Sequence, residues 1–256
     1  MGGEARIAIL GGTGLGTLAD LEEPEPLAPE TPYGAPSAGL VRGWLAGRPV
    51  LFLPRHGGGH ALAPHRINYR ANLWALHEAG ARSVIAVAAV GSIAAQPGPG
   101  GVAIPDQIID YTWGRAHTFV EEGEVRHVDF TRPYSPALRE CLLEAARSAG
   151  VAVTEGGVYG ATQGPRLESA AEIARLARDG CTMVGMTGMP EAALARELEL
   201  DYACCAVCVN RAAGVAPAGD IHAEIERFLE QGMQRARNII RHAVARLGDT
   251  GDGLRS

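Results

Sequence analysis

The stretch IAILGGTGLG, residues 7–16, carries four apolar residues into a glycine turn. An apolar run closed by glycine reads as a buried β-strand that delivers the chain to a tight turn. Backbone N–H groups exposed in that turn, together with the Thr13 hydroxyl, form a cradle for an anion. A dinucleotide site demands more. After Gly12 and Gly14 the third glycine of that fingerprint belongs where Thr17 stands, and GTLADLEEPEPLAPETP (16–32) has no helical pattern. The turn therefore reads as a phosphate cradle, with an NAD-dependent oxidoreductase as a remote alternative.

Outward from this strand the same alternation continues. Apolar, β-branched segments at 5–10, 49–53, 82–90, 102–110, 157–160, 182–186 and 201–209 predict strands, and helical patterns fall at 66–79, 136–149, 168–178, 190–198 and 222–246. In the last of these Ile225, Phe228, Leu229, Met233, Ile239 and Ile240 recur near helical spacing, with charge on the other face. The expectation is an α/β fold, one mixed central β-sheet flanked by helices. With 256 residues, 46% of them hydrophobic, one domain spanning 1–256 has ample material for a core at about 6–246, leaving a flexible tail at 247–256. The longest irregular stretch, 111–134, is polar, carries His117 and His127, and is long enough to be functional.

A net charge of −6 with no basic cluster excludes an electrostatic footprint for nucleic acid or an anionic membrane. No apolar stretch reaches the roughly 18 residues of a membrane span. The N-terminal MGGEARIAIL has too short an apolar run for a signal peptide, and Arg6 breaks a myristoylation pattern. A cytoplasmic protein acting on small molecules is expected. Of five cysteines, Cys204, Cys205 and Cys208 share the apolar run DYACCAVCVN (201–210), where cysteine packs as a small hydrophobe. Cys205 and Cys208 form a CxxC with no second pair at zinc spacing, so packing outweighs redox or metal chemistry.

Several further strand ends carry chemistry. In LPRHGGGH (53–60) Arg55 offers a forked, permanently charged donor set for phosphate, and His56 is a further donor beside it. A solvated loop is the bland alternative; a metal on His56, His60 and His65 lacks an acidic or thiol partner in the segment. In GATQGPRLES (160–169) Glu168 is either a functional carboxylate or a dipole partner for the helix that follows. Thr187, in VGMTGMPEAALARE (184–197), is a helix cap or a second hydroxyl for phosphate. Asn210 ends an apolar strand where open α/β sheets place ligand contacts.

Taken in order, GGTGL (11–15), RHGGGH (55–60), INYRANLWAL (67–76), VGSI (90–93), QGPRLES (163–169) and VGMTGMPE (184–191) resemble the trimeric purine nucleoside phosphorylase and methylthioadenosine phosphorylase family. The resemblance runs from about 6 to about 246. It implies a homotrimer with active sites near subunit interfaces, no cofactor, and inorganic phosphate as co-substrate. By the same resemblance Thr13, Arg55, His56 and Thr187 are phosphate ligands, and Met186 lies under the ribose. His127 is lent to the 5' end by a neighbouring subunit, His222 contacts the 5' substituent, and Glu168 and Asn210 contact the purine.

A carboxylate only accepts, which suits the N1–H of a 6-oxopurine, while the Asn210 carboxamide can donate to O6 and accept from a protonated N7. Adenine-specific relatives carry Ser and Asp at these two places. Phosphorolysis of a 6-oxopurine nucleoside follows as the expected activity, in purine and methylthio salvage. S-methyl-5'-thioinosine is the favoured substrate, with inosine or guanosine as the alternative; an adenine nucleoside and a non-catalytic nucleoside-binding module are more distant. Departures from the family pattern are Ala88 near the phosphate, Leu167 in place of a base-stacking phenylalanine, and His222, whose imidazole suits a 5'-hydroxyl better than a thioether.

Overall fold

The computed structural model describes residues 6–121, 123, 125–215 and 221–249, the side chains of 248 and 249 excepted. Its centre is β5 (Ser83–Ser92), a ten-residue strand with one partner along its whole length and two in succession along its other edge. β11 (Asp201–Arg211) runs parallel to it throughout. On the opposite edge β1 (Ile7–Gly11) pairs parallel with Ser83–Ala86, and β10 (Met183–Gly185) then takes over antiparallel at Gly91 and Ser92. The sheet thus forks at the end of β5. One branch continues from β1 to β4 (Arg48–Pro54), β3 (Leu40–Leu45) and β2 (Glu22–Leu27); the other continues from β10 to β9 (Val158–Ala161) and β7 (Gln107–Asp110). Beyond β11 lie β6 (Val102–Ile104) and β8 (Val153–Glu155). The mixed sheet flanked by helices agrees with the sequence expectation.

Alternation along the strands builds two apolar layers. Ala8, Leu10, Val84, Ala86, Cys204 and Ala206 face one side, where α1 (Tyr69–Glu78) and α4 (Gly188–Glu197) add Leu73, Leu76, Ala192 and Leu194. Ile7, Ile9, Ile85, Val87, Ala203 and Cys205 face the other, against α2 (Pro136–Ser148) and α5 (Ile221–Asp249) through Leu138, Leu142, Met233 and Ile240. Strands covered on both faces read as continuous apolar runs, which is why β1, β5 and β11 stand out in the sequence. A third, smaller cluster joins α3 (Ala170–Arg178) to Val184 and Ala212. All five cysteines are buried and unbridged, and burial pushes the Cys205 and Cys208 thiols up to about 12 and about 11.

Five strands depart from the sequence expectation, two of them, β3 and β8, having no expected counterpart. The expected strand at 102–110 is two, β6 and β7, which pair with different branches of the sheet. β2, with sequence EEPEPL, is almost wholly exposed and has no apolar signal; its place comes from backbone pairing with β3 and from the Arg42–Glu25 ion pair. Its two prolines are tolerated because it is an edge strand. No helix follows the Gly11–Gly12 turn, so the helix N-terminus that a dinucleotide site needs is missing there. α5 extends three residues past the expected 246, and the rest of the expected tail, 250–256, lies outside the described residues.

Candidate active site

β1, β4 and β11 run parallel to β5 or to one another, so their C-terminal ends open on one edge of the sheet. That edge is where open α/β sheets gather ligands. A cavity of about 480 Å³ lies there, within the range of small-molecule sites. Its lining includes Thr13 after β1, Arg55 and His56 after β4, Ala88–Gly91 on β5, Met186 and Thr187 after β10, and Asn210 on β11. Leu167 and Glu168, just before α3, complete it. Eight of the ten expected site residues therefore meet in one cavity. The other two do not: His222 is exposed on α5 and His127 is exposed on the loop after β7, neither among the lining residues.

Two recesses adjoin this cavity, and they share no residue with each other. One, about 410 Å³, is walled by the glycine turns after β1 and β4 and includes Thr13 and His56. The other, about 550 Å³, lies between the β7 and β9 loops and includes Glu168. Thr13 and His56 thus open on one recess and the Glu168 carboxylate on the other.

Beside the Gly12 turn Arg55 is 1% exposed and is held on three sides. Its Nε and one terminal nitrogen donate to the two oxygens of Glu191 at 2.6 and 2.8 Å, and its other terminal nitrogen donates to the Val87 carbonyl at 2.7 Å. Tyr202 donates to the same Glu191 carboxylate at 2.7 Å. Burial alone would weaken the guanidinium's hold on its proton; the Glu191 carboxylate reverses this and keeps Arg55 charged. Two of the five N–H groups of Arg55 remain outside these bonds. A Cβ on Gly12 would sit 2.9 Å from the guanidinium and 2.4 Å from the Val87 carbonyl, so only glycine fits beside it. Glu191 lies in the VGMTGMPE segment but carried no assignment there. Its signal is a charge in an otherwise apolar helix start, and it is fully buried.

His56 differs from its expected role as donor. Its Nδ1 lies 2.8 Å from the Leu62 carbonyl, which can only accept, so Nδ1 carries the proton. Burial pushes the imidazole down to about 4, with the charges of Arg55 and His60 adding to the effect, so the ring is neutral at pH 7. Its Nε2 then offers a lone pair. Thr187 precedes α4, and its side chain makes no capping bond, which removes the capping alternative. The helical turns begin at Pro190, because Met189 is extended.

Asn210 is aimed by a bulge. The register between β11 and β5 shifts between Cys208 and Asn210, bringing Asn210 opposite Gly91. Its amide donates to the Arg211 carbonyl at 2.7 Å, leaving one N–H and the carbonyl oxygen for other partners. Glu168 is not the dipole partner of α3. That position belongs to Glu172, which forms a capping box with Ser169. Glu168 instead accepts from the Thr162 hydroxyl at 2.6 Å.

Arg115, on the loop after β7, ties these segments together. It donates to the carbonyls of Thr162, Gln163, Met186 and Met189 and to the Tyr69 hydroxyl. Gly164 fits the same crowded place, since a Cβ there would meet the Met186 sulfur at 2.4 Å. Nothing in the local sequence marks Arg115, because its partners lie 46–74 residues away.

Residues 6–245 match the Phosphorylase superfamily. The chain is 55% identical over 240 residues to a probable S-methyl-5'-thioinosine phosphorylase of Pseudomonas syringae pv. tomato, covering 93% of this chain and 98% of that one. It is 42% identical over 246 residues to the 6-oxopurine nucleoside phosphorylase of Pyrococcus furiosus, covering 93% and 92%. Among solved structures, a methylthioadenosine phosphorylase from an antarctic soil metagenomic library superposes with a TM-score of 0.88 at 36% identity, covering 96% of this chain and 87% of that one. The chain belongs to the Phosphorylase superfamily.

Proposed function

We propose that this member of the Phosphorylase superfamily is a pentosyltransferase that cleaves a 6-oxopurine nucleoside with inorganic phosphate, needs no cofactor, and prefers S-methyl-5'-thioinosine. Hypoxanthine and S-methyl-5-thioribose 1-phosphate are then its products. One observation carries the reading: a single cavity joins Thr13, Arg55, His56 and Thr187 to Glu168 and Asn210, with Thr13 and His56 opening on one side recess and Glu168 on another. The names of the relatives in Pseudomonas syringae pv. tomato and Pyrococcus furiosus support the same reaction class.

In the proposed reaction the bond from the ribosyl carbon to N9 breaks and its electron pair leaves with the purine. A phosphate oxygen forms the new bond on the opposite face. Arg55 presents its two outer N–H groups to phosphate, and Thr13 and Thr187 add hydroxyl donors. His56, neutral with its proton on Nδ1, accepts from the P–OH of hydrogen phosphate. Because Glu191 offsets the charge of Arg55, the site reads phosphate by directed bonds more than by net charge. At the other end Glu168 accepts from N1–H, while Asn210 donates to O6 and accepts from N7–H as the purine takes up its proton. Met186 and Leu167 supply apolar contacts under the ribose and beside the base.

The preference for a methylthio group is supported by α5. Ile221 and Ile225 line the cavity, and His222 between them does not. An apolar wall suits a thioether, a weak acceptor, better than a 5'-hydroxyl. Comparing kcat/KM for methylthioinosine and inosine tests this choice; a preference for inosine would overturn it while leaving phosphorolysis intact.

Assembly as a homotrimer is part of the proposal. Its support is the loop after β7, where Trp113 and Val125 are 72% and 82% exposed on the same segment as His127. Large apolar side chains so exposed favour burial against another copy, which would let a neighbour's His127 approach the site. Sedimentation equilibrium reads the assembly directly, and a monomer would remove His127 from the account.

A further inference from the structure

The purine-end carboxylate has a holder of its own. Glu168 stands in the wall between the main cavity and the recess of about 550 Å³, and it lines both. A side chain between two open spaces has more than one place to go, and fixing it takes an interaction strong enough to offset its rotamer freedom. Thr162 supplies one. Its hydroxyl is 2.6 Å from Glu168 Oε1 and 3.3 Å from the Gly185 carbonyl; a hydroxyl has a single proton, and the shorter contact to the charged acceptor takes it. Thr162 lines the recess and not the main cavity, so it grips Glu168 from behind.

The grip is itself anchored. The Thr162 amide donates to the Gly185 carbonyl at 2.8 Å, and its own carbonyl accepts from Arg115 at 3.3 Å. Position and direction of the hydroxyl are therefore set by two neighbouring segments of the site. With Oε1 occupied, Oε2 is the oxygen left to meet a ligand.

We propose that Thr162 is a specificity-determining positioning residue, holding Glu168 so that one carboxylate oxygen faces the N1–H edge of a 6-oxopurine and rejects the N1 lone pair of a 6-aminopurine. This rests on the reading of Glu168 as the base-edge acceptor. It assigns to a residue that touches no substrate a part in choosing the base.

The test compares Thr162→Val, Thr162→Ser and Glu168→Ala by kcat/KM on methylthioinosine and methylthioadenosine, with KM for phosphate measured alongside. Loss of one hydrogen bond to a charged group should lower kcat/KM for methylthioinosine in Thr162→Val by about tenfold. The ratio of methylthioinosine to methylthioadenosine should narrow, and KM for phosphate should stay within about twofold because the phosphate end is untouched. Thr162→Ser, which keeps the donor, should restore the ratio to within about threefold of wild type. A merely structural role for Thr162 would instead lower both substrates equally and leave the ratio unchanged, which overturns the proposal. If Glu168→Ala collapses the ratio while Thr162→Val preserves it, the base-edge reading stands and Thr162 falls. If Glu168→Ala itself preserves the ratio, both fall.

Discussion

The two ends of the cavity are held by different kinds of structure. At the phosphate end Arg55 and Glu191 are 1% and 0% exposed, form a bidentate pair, and are tied further to Tyr202 and Val87. At the purine end Glu168 is half-buried and depends on one hydroxyl, and its neighbour Leu167 is 39% exposed. A fully buried ionic network has one arrangement and a steep penalty for any other. A half-open end with one hydrogen bond can change its partner at small cost. In the proposed reaction the phosphate end would set the reaction class, and the purine end would be where substrate choice is tuned.

The largest expected effect lies in the buried network. Glu191→Ala leaves the Arg55 charge buried without its partner, a change of about 3–5 kcal/mol. Thermal melts should show it as a large fall in Tm, together with loss of phosphate binding. A variant that melts like wild type would erase the contrast between the two ends. Next comes Asn210→Ala, which should reduce kcat by about 100-fold or more, as loss of a donor aimed at developing charge does, with phosphate affinity nearly unchanged. Near-normal turnover would remove Asn210 from the chemistry.

His56 gives an intermediate effect with a defined pH window. The unfolded imidazole takes up a proton near its ordinary 6.5, whereas the folded one refuses it until about 4, because burial disfavours the charged ring. Unfolding therefore binds protons between these values, and stability rises with pH across the window. The contribution is complete above about 6.5 and is lost as pH falls toward 4. Measured by Tm against pH, His56→Phe should have a shallower slope than wild type from 4 to 6.5; parallel curves would contradict the neutral, Nδ1-protonated ring. The smallest effect is expected at Leu167, where Leu167→Phe should lower nucleoside KM by about threefold through stacking on the base. A change in KM for phosphate instead would mean that the ends are not separate.

Much of this architecture was legible in the sequence, for a physical reason. β1, β5 and β11 are covered on both faces, so their apolar runs are unbroken, and α2, α3 and α5 carry periodic apolar faces. The glycine turns and the polar residues at strand ends located the cavity, because a parallel sheet delivers those ends to one edge. β2 was not legible, since an exposed edge strand is specified by its partner's backbone. Nor were the holders. Glu191 meets Arg55 across 136 residues and Arg115 meets Met189 across 74, distances over which no local pattern operates. Thr162 is only six residues from Glu168, yet it falls in a turn whose shape the sequence does not show. His222 taught the reverse lesson: one residue of helical phase separates it from Ile221, and only the folded α5 shows which of them lines the cavity.

The most direct test is release of free base from methylthioinosine, inosine and methylthioadenosine, each with and without inorganic phosphate. Hypoxanthine should be released from methylthioinosine only when phosphate is present, stoichiometric with a thioribose 1-phosphate, and adenine should be released far more slowly from methylthioadenosine. Release that is indifferent to phosphate, or equal turnover of the adenine and hypoxanthine nucleosides, would contradict the proposed reaction.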